Sequence, residues 1–266
     1  MRSPHRAPHR NFHDDMPRDF DPHELELMDR LQPVSAELER DLDYLIALNR
    51  HFGSHHLLRR FLAGWLRPDR AYRVLDLCTG AADLPRVMLD WARPRGIALH
   101  IDAVDAQPAT LAIAEKKSAD YPEIHFHQAD VLKYDTTLRY DLVHCSLALH
   151  HFSDENAALL LRRCRELSTR FALVADLERS PLTTAGVWAI TATIYTDPMT
   201  QHDGRLSARR AFSFGEMRAL TEVAGWKEFG HARFIFGRQA VWLAARDFAE
   251  IPQVSAEMEE GLPCPT

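Results

Sequence analysis

The 266-residue sequence has only four cysteines, Cys78, Cys145, Cys164 and Cys264, and no two of them form a C-x-x-C pair. That scatter argues against a disulfide frame and for reduced thiols in a cytoplasm. No apolar run is long enough to cross a bilayer, so no integral membrane segment is expected. The N-terminus is charged without an apolar core and does not read as a secretory signal. An excess of positive charge is also missing. The formal net charge of −6 disfavours a nucleic-acid backbone as the main partner. Glycine is scarce where nucleotide loops need it. In "YRVLDLCTGAADLP", Tyr72 to Pro85, an apolar run ends in Asp76 and a small-residue turn follows, but Gly80 is its one glycine. With neither G-x-G-x-x-G nor G-x-x-x-x-G-K-[ST], a dinucleotide or a nucleoside triphosphate is not expected. A cofactor without pyrophosphate demands less close backbone approach.

With 46% hydrophobic and 26% charged residues, the composition is that of a soluble globular protein, and the length suits one domain with additions. Residues 1–20 mix His, Arg, Pro and Asp without periodicity and read as a disordered arm. From Asp21 the pattern turns helical. "DPHELELMDRL" opens with Asp as N-cap, Pro next and Glu three residues after the cap. "SAELERDLDYLIALNRHF" sets Leu38, Leu42, Leu45, Ile46 and Leu48 near one stripe, Gly53 breaks it, and "HHLLRRFLAGWL" continues. Residues 21–70 are therefore expected to form an N-terminal helical cap, with His55 and His56 facing solvent.

After Ala71 strands and helices alternate. "YRVLDL", "ALHIDAVD", "IHFHQAD", "YDLVHCSL" and "FALVADL" read as strands separated by helices, which predicts a parallel sheet covered on both faces. "SFGEMRALTEVAGW" begins with a capping box, Ser213 with Glu216. "HARFIFG" and "RQAVWLAA" meet at Gly237 too closely for anything but an antiparallel hairpin. The expected fold is α/β: a Rossmann-like, seven-stranded, mostly parallel sheet with a C-terminal antiparallel hairpin and helices on both faces. Its core spans 71–247, and residues 248–266 read as a tail.

Ligands of such sheets bind outside the carboxyl ends of the strands. Asp76, Asp105 and Asp130 stand at the ends of the first three strands, and Ser146 follows the fourth. Asp105 can accept hydrogen bonds from both hydroxyls of a ribose, and Asp130 from an exocyclic amine, with the Val131 N–H donating to a ring nitrogen. Asp76 is placed to meet an ammonium or to order the loop. The blander alternative for each acid is a helix cap.

"VLDLCTGAADLP", "AVDAQPATLAIA", "HQADVL" and "YDLVHCSLALHHFSD" together resemble the successive motifs of class I S-adenosylmethionine-dependent methyltransferases, most closely the ubiquinone/menaquinone-biosynthesis type. The likeness runs from Tyr72 to Arg246. It implies S-adenosylmethionine as cofactor, with its methionine portion along Asp76, Cys78, Thr79 and Gly80. It puts the ribose at Asp105 and Ala106, the adenine beside Asp130 and Val131, and Cys145, Ser146 and Leu147 against the methionine. Cys78 and Ala82 stand where the usual motif has glycine or a residue nearly as small. An Ala82 in right-handed conformation would cost little, whereas a left-handed one would strain the loop.

Methyl transfer is an in-line displacement, and an oxygen acceptor gains from a base titrating near working pH. His150 or His151, just past strand four, is the candidate; the alternative is that "LHHF" is a packing corner. His144 reads as a core residue, and no metal is expected from the spacing of the histidines. Residues 181–212 read as a lid insertion, with Met199, His202, Arg209 and Arg210 as candidate substrate contacts, the two arginines as anchors for an acidic group or, alternatively, as solvated surface charges. The expected acceptor is a small aromatic or lipid-like molecule, a phenol or quinol, with oxygen slightly ahead of ring carbon. A homodimer is left open. An RNA or protein substrate is disfavoured by the acidic charge and by "CSLALHHF", which holds no N-P-P-Y-like motif. The remaining alternative is a non-catalytic binding or scaffold protein with a modified cofactor loop.

Overall fold

A computed structural model of the chain describes residues 17–244. Five strands run parallel: β1 (Tyr72–Leu77), β2 (Leu99–Asp105), β3 (Ile124–Gln128), β4 (Tyr140–Ser146) and β5 (Ser168–Leu177). The hairpin β6 (Gly230–Phe234) and β7 (Arg238–Ala244) completes a seven-stranded sheet of order β3-β2-β1-β4-β5-β7-β6, with β7 antiparallel to both β5 and β6. The order reverses beside β1, which leaves a crevice at the carboxyl ends of β1 and β4.

The period-two alternation of β1 sorts its side chains between two cores. Tyr72 and Val74 join α2 (Ser54–Trp65) and α3 (Asp83–Ala92) on one face, in a core that includes Phe61, Trp65 and Phe171. Trp65 stacks on Phe171 with centroids 4.7 Å apart. Leu75 and Leu77 join α5 (Asp154–Leu167) and α8 (Phe214–Val223) on the other face, with Leu160, Cys164, Met217 and Trp226. Ser35 caps α1 (Ala36–His51), Ser153 caps α5, and the expected Ser213–Glu216 capping box forms on α8.

The cap departs from the expected pattern. "DPHELELMDRL" is a chain of turns and not a helix. Its polar backbone groups find tertiary partners, which compete with a local helix. The Leu27 and Met28 N–H groups donate to the two oxygens of Asp203 at 2.7 and 3.0 Å. Arg210 donates to the carbonyls of Asp21 and Glu24. Residues 17–20, expected in a disordered arm, are docked too. Arg18 donates to the carbonyls of His150, Phe152 and Arg210, pairs with Asp154 at 2.7 Å, and lies over the Phe212 ring at 3.8 Å. The rest of the expected arm and the tail lie outside the described residues. His55, expected in solvent, is buried against Asp83 at 3.0 Å, while His56 is exposed.

The lid segment comprises α6 (Pro181–Thr193) and α7 (Pro198–Arg210), the second capped by Asp197 with Pro198 at its first position. These helices pack on each other, and α7 also meets α1.

Gly230 allows the Trp242 ring to lie flat across β6. A Cβ at that position would sit 2.0–2.4 Å from three of its ring atoms. We expect Gly230→Ala to lower stability by about 1–3 kcal/mol through overpacking, read as an earlier urea midpoint. An unchanged midpoint would show that the hairpin can shift freely.

Candidate active site

A cavity of about 950 Å³ opens at the carboxyl ends of β1, β2 and β4. It lies at the upper end of the range for small-molecule sites. One part is lined by Asp76, Cys78, Thr79, Gly80, Asp105, Ala106, Asp130, Val131, Ser146 and Leu147. The strand-end argument thus brings these residues to one place. Cys145 is the exception. It is fully buried behind the wall, next to the Cys78 thiol.

The loop after β1 is held by its own polar groups. Both Asp76 oxygens are engaged, one by the Thr79 hydroxyl at 2.6 Å and the other by His144 Nδ1 at 2.5 Å. Asp76 and His144 are register partners on adjacent strands, which makes His144 the core residue the sequence suggested. Asp105 accepts from the Gly80 N–H at 2.9 Å and the Gln107 N–H at 3.0 Å. Burial pushes its carboxyl up despite these donors. A carboxylate has about four acceptor sites, so these two bonds leave room for a vicinal diol, and the residues fit a ribose. Asp130 is more open, pairing with Lys133 at 3.3 Å.

Cys78 and Ala82 both adopt left-handed backbone, with φ of 57° and 54°. The turn therefore needs the glycine geometry and holds it with side chains that resist it. Favourable right-handed entry at Ala82 is excluded.

Beside this loop lies a charge cluster. His150 Nδ1 bonds Asp176 at 2.7 Å, and the other Asp176 oxygen accepts the His150 backbone N–H at 2.9 Å. Nδ1 of His150 is thus the donor, and Nε2 is left facing Glu26 at 3.7 Å. His151 Nδ1 pairs with Asp29 at 2.8 Å, and its Nε2 stands 3.9 Å from Glu26. Burial alone would lower the His151 pKa, but Glu26 and Asp29 outweigh it and push it up to about 10. These two carboxylates favour the protonated form of His151, which makes His150 the better placed of the two expected candidates. Burial raises the Glu26 carboxyl. Burial would also raise Asp176, but its interaction with the His150 ring and the hydrogen bonds from the Leu177 and His150 N–H groups hold it low.

Glu26, His150 and His151 each offer a ligand atom within 4.8 Å of the others. The trio could hold a divalent cation, with Asp176 and Asp29 orienting the rings from behind. Histidine spacing could not reveal this, because the third ligand comes from the irregular cap. Glu26 and Asp29 carry no recognisable signal in the sequence. Asp176 does, since it ends β5 as Asp76 and Asp105 end β1 and β2.

The remaining wall is largely apolar. Leu42, Leu45 and Ile46 come from α1, Val187 and Ile190 from α6, and Phe234 and Phe236 from the hairpin. The four lid residues expected to touch substrate do not line this cavity. Met199 is buried elsewhere, and His202 lies on a shallow surface depression beside Arg209. Arg209 and Arg210 hold the N-terminal turns. Helix α7 presents Gly204 and Ser207 to the cavity instead, because its 3.6-residue period turns the expected residues away.

Sheet order, terminal hairpin and loop define a Rossmann-like methyltransferase fold. A family profile described as "Methyltransferase domain" matches residues 74–169. The 2-phytyl-1,4-naphtoquinone methyltransferase of Thermosynechococcus vestitus is 33% identical over 106 residues, 40% of this chain and 42% of that relative. The chain therefore matches under half the length of that relative. Human N-acetylserotonin methyltransferase, solved with S-adenosylmethionine, superposes with a TM-score of 0.54 at 20% identity, over 77% of this chain and 55% of that one. The plantazolicin methyltransferase BpumL, solved with S-adenosylhomocysteine, gives 0.57 at 14%, over 79% and 96%. At these identities the structures show the shared fold. The matched domain covers residues 74–169, and the fold around it is the one shared by these S-adenosylmethionine-dependent methyltransferases.

Two outcomes are expected. Ala82→Gly should relieve left-handed strain and raise stability by about 1 kcal/mol, seen as a later urea midpoint; a drop would show that the Ala82 methyl packs more than it strains. His151 has a folded pKa above its ordinary 6.5, so its stabilisation is complete below about pH 6.5 and lost as pH rises towards about 10. Stability should fall across that interval in the wild type, and less steeply in His151→Asn.

Proposed function

We propose that this protein transfers a methyl group from S-adenosylmethionine to the oxygen of a small phenol- or quinol-like acceptor. The observation that carries this reading is His150. Its ring is oriented by Asp176 and lines the same cavity as Asp105 and an apolar wall. S-adenosylmethionine supplies an electrophilic methyl group on a sulfonium. Asp105 would accept from the ribose hydroxyls, and Asp130 and Val131 would flank the adenine. The loop Asp76–Gly80 and the segment Ser146–Leu147 would follow the methionine portion. Asp76 orders that loop through Thr79 and leaves no free oxygen of its own.

His150 would take the acceptor's hydroxyl proton on Nε2 while Asp176 holds Nδ1–H, the division of labour of a histidine–carboxylate pair. His151, as a cation between Glu26 and Asp29, would fix Glu26 beside that proton. Leu45, Ile46 and Val187 would shelter an aromatic ring from water. The name of the Thermosynechococcus relative supports a quinone-like acceptor. The assignment of 21–70 and 181–212 as a cap and lid belongs to this proposal. Both segments supply the apolar wall.

Calorimetry with S-adenosylmethionine and S-adenosylhomocysteine should show binding that Asp105→Ala abolishes. Labelled methyl should then appear on members of a naphthol and hydroquinone panel. His150→Ala should cut kcat by about 10²–10⁴-fold while S-adenosylhomocysteine still binds, and EDTA should leave turnover unchanged. No cofactor binding by the folded protein would sink the proposal. Full turnover in His150→Ala would remove the base, and loss with EDTA would recast Glu26, His150 and His151 as metal ligands.

A further inference from the structure

Two arginines of the hairpin line the cavity, and their situations differ. Arg233 Nε meets both oxygens of Glu178 at 2.9 and 2.8 Å, so its charge is matched at the wall. Arg238 is 6% exposed, and its Nε donates to the Phe52 carbonyl at 3.2 Å. Its Nη1 is buried with no partner among the described residues. None of the described carboxylates forms an ion pair with it. Asp176, which it feels through space, is already bonded to His150.

A guanidinium stays charged in proteins, and a buried charge is costly unless paired. The fold places this one with care. Arg238 begins β7 opposite Leu177, the residue after Asp176, so the base and the cation flank the end of β5. Nε is occupied by the Phe52 carbonyl, Nη1 carries donors without a partner, and a guanidinium can meet a carboxylate through two N–H groups in one plane. Glu178, the nearby acid of the lining, is already held by Arg233.

We infer that Arg238 is an anchor for a carboxylate carried by the acceptor, which makes the substrate class a hydroxylated aromatic acid. This rests on the reading of the cavity as the acceptor's chamber. It also relocates the acid-binding role that the sequence suggested for Arg209 and Arg210. Arg238 holds the acceptor in place and takes no proton.

The test uses the full-length protein saturated with S-adenosylhomocysteine, and 1-hydroxy-2-naphthoate and its methyl ester as probes, followed by ligand fluorescence. The acid should bind the wild type at least about tenfold more tightly than the ester. The preference should vanish in Arg238→Met and survive in part in Arg238→Lys. Equal binding of acid and ester, a preference that persists in Arg238→Met, or no binding of the acid to the wild type would each overturn the anchor. Retained S-adenosylhomocysteine binding certifies that a variant is folded. If Arg238→Met fails that check, the wild-type acid–ester comparison decides. A wild type that binds no S-adenosylhomocysteine would instead sink the methyl-transfer reading, with the anchor still judged by the same probes without it.

Discussion

The bidentate hold of Asp176 on His150 is the contact around which the site is organised. It ties the end of β5 to the turn that follows β4, using both the imidazole and the backbone N–H of the same residue. Asp176 and His150 are almost fully buried, so neither keeps its polar groups satisfied without the other. Once His150 is fixed, Nε2 has one direction, and the irregular cap closes over it with Glu26. Arg18 then clamps the same turn from outside, through the carbonyls of His150 and Phe152. The cap is therefore docked on the chemistry-bearing turn by charge-assisted hydrogen bonds, which are stronger than neutral ones.

A second feature is stored strain. Cys78 and Ala82 bracket the loop after β1 in left-handed conformations that glycine would adopt freely. The surroundings over-determine the turn. Thr79 is bonded to Asp76 and Gly80 to Asp105, and the Thr79 N–H donates to the Val104 carbonyl. Non-glycine residues persist in such backbone only when neighbouring contacts enforce it. The loop shape thus survives the missing glycines because its hydrogen bonds, rather than its intrinsic freedom, specify it.

The cavity has two characters because two kinds of segment build it. Strand ends contribute acids and backbone donors, which suit a polar ligand. Helices α1 and α6 and the hairpin contribute aliphatic and aromatic side chains, with Arg238 as the cation there that has no carboxylate partner. Such a division lets one chamber hold two chemically different molecules side by side, which is what group transfer requires.

The sheet was legible in the sequence because strands and helices follow local periodicity, and the strand-end acids were legible because topology puts every strand end at one rim. The hairpin at Gly237 and the Ser213 capping box were equally local. The turns of residues 21–31 were not, because Asp203 and Arg210, far along the chain, compete for backbone groups that a helix would have used internally. Nor could the sequence choose between His150 and His151. They are adjacent in the chain, but one faces Asp176 and the other lies between Glu26 and Asp29. Arg209 and Arg210 of α7 are engaged by the N-terminal segment for the same reason. What the chain determined by itself was its pattern of elements and the acids that end its strands, since both depend on neighbours in sequence. Which histidine is set against Asp176, and how Arg238 is left without a carboxylate partner among the described residues, depends on desolvation and on partners brought from distant segments, and only the tertiary structure decides that.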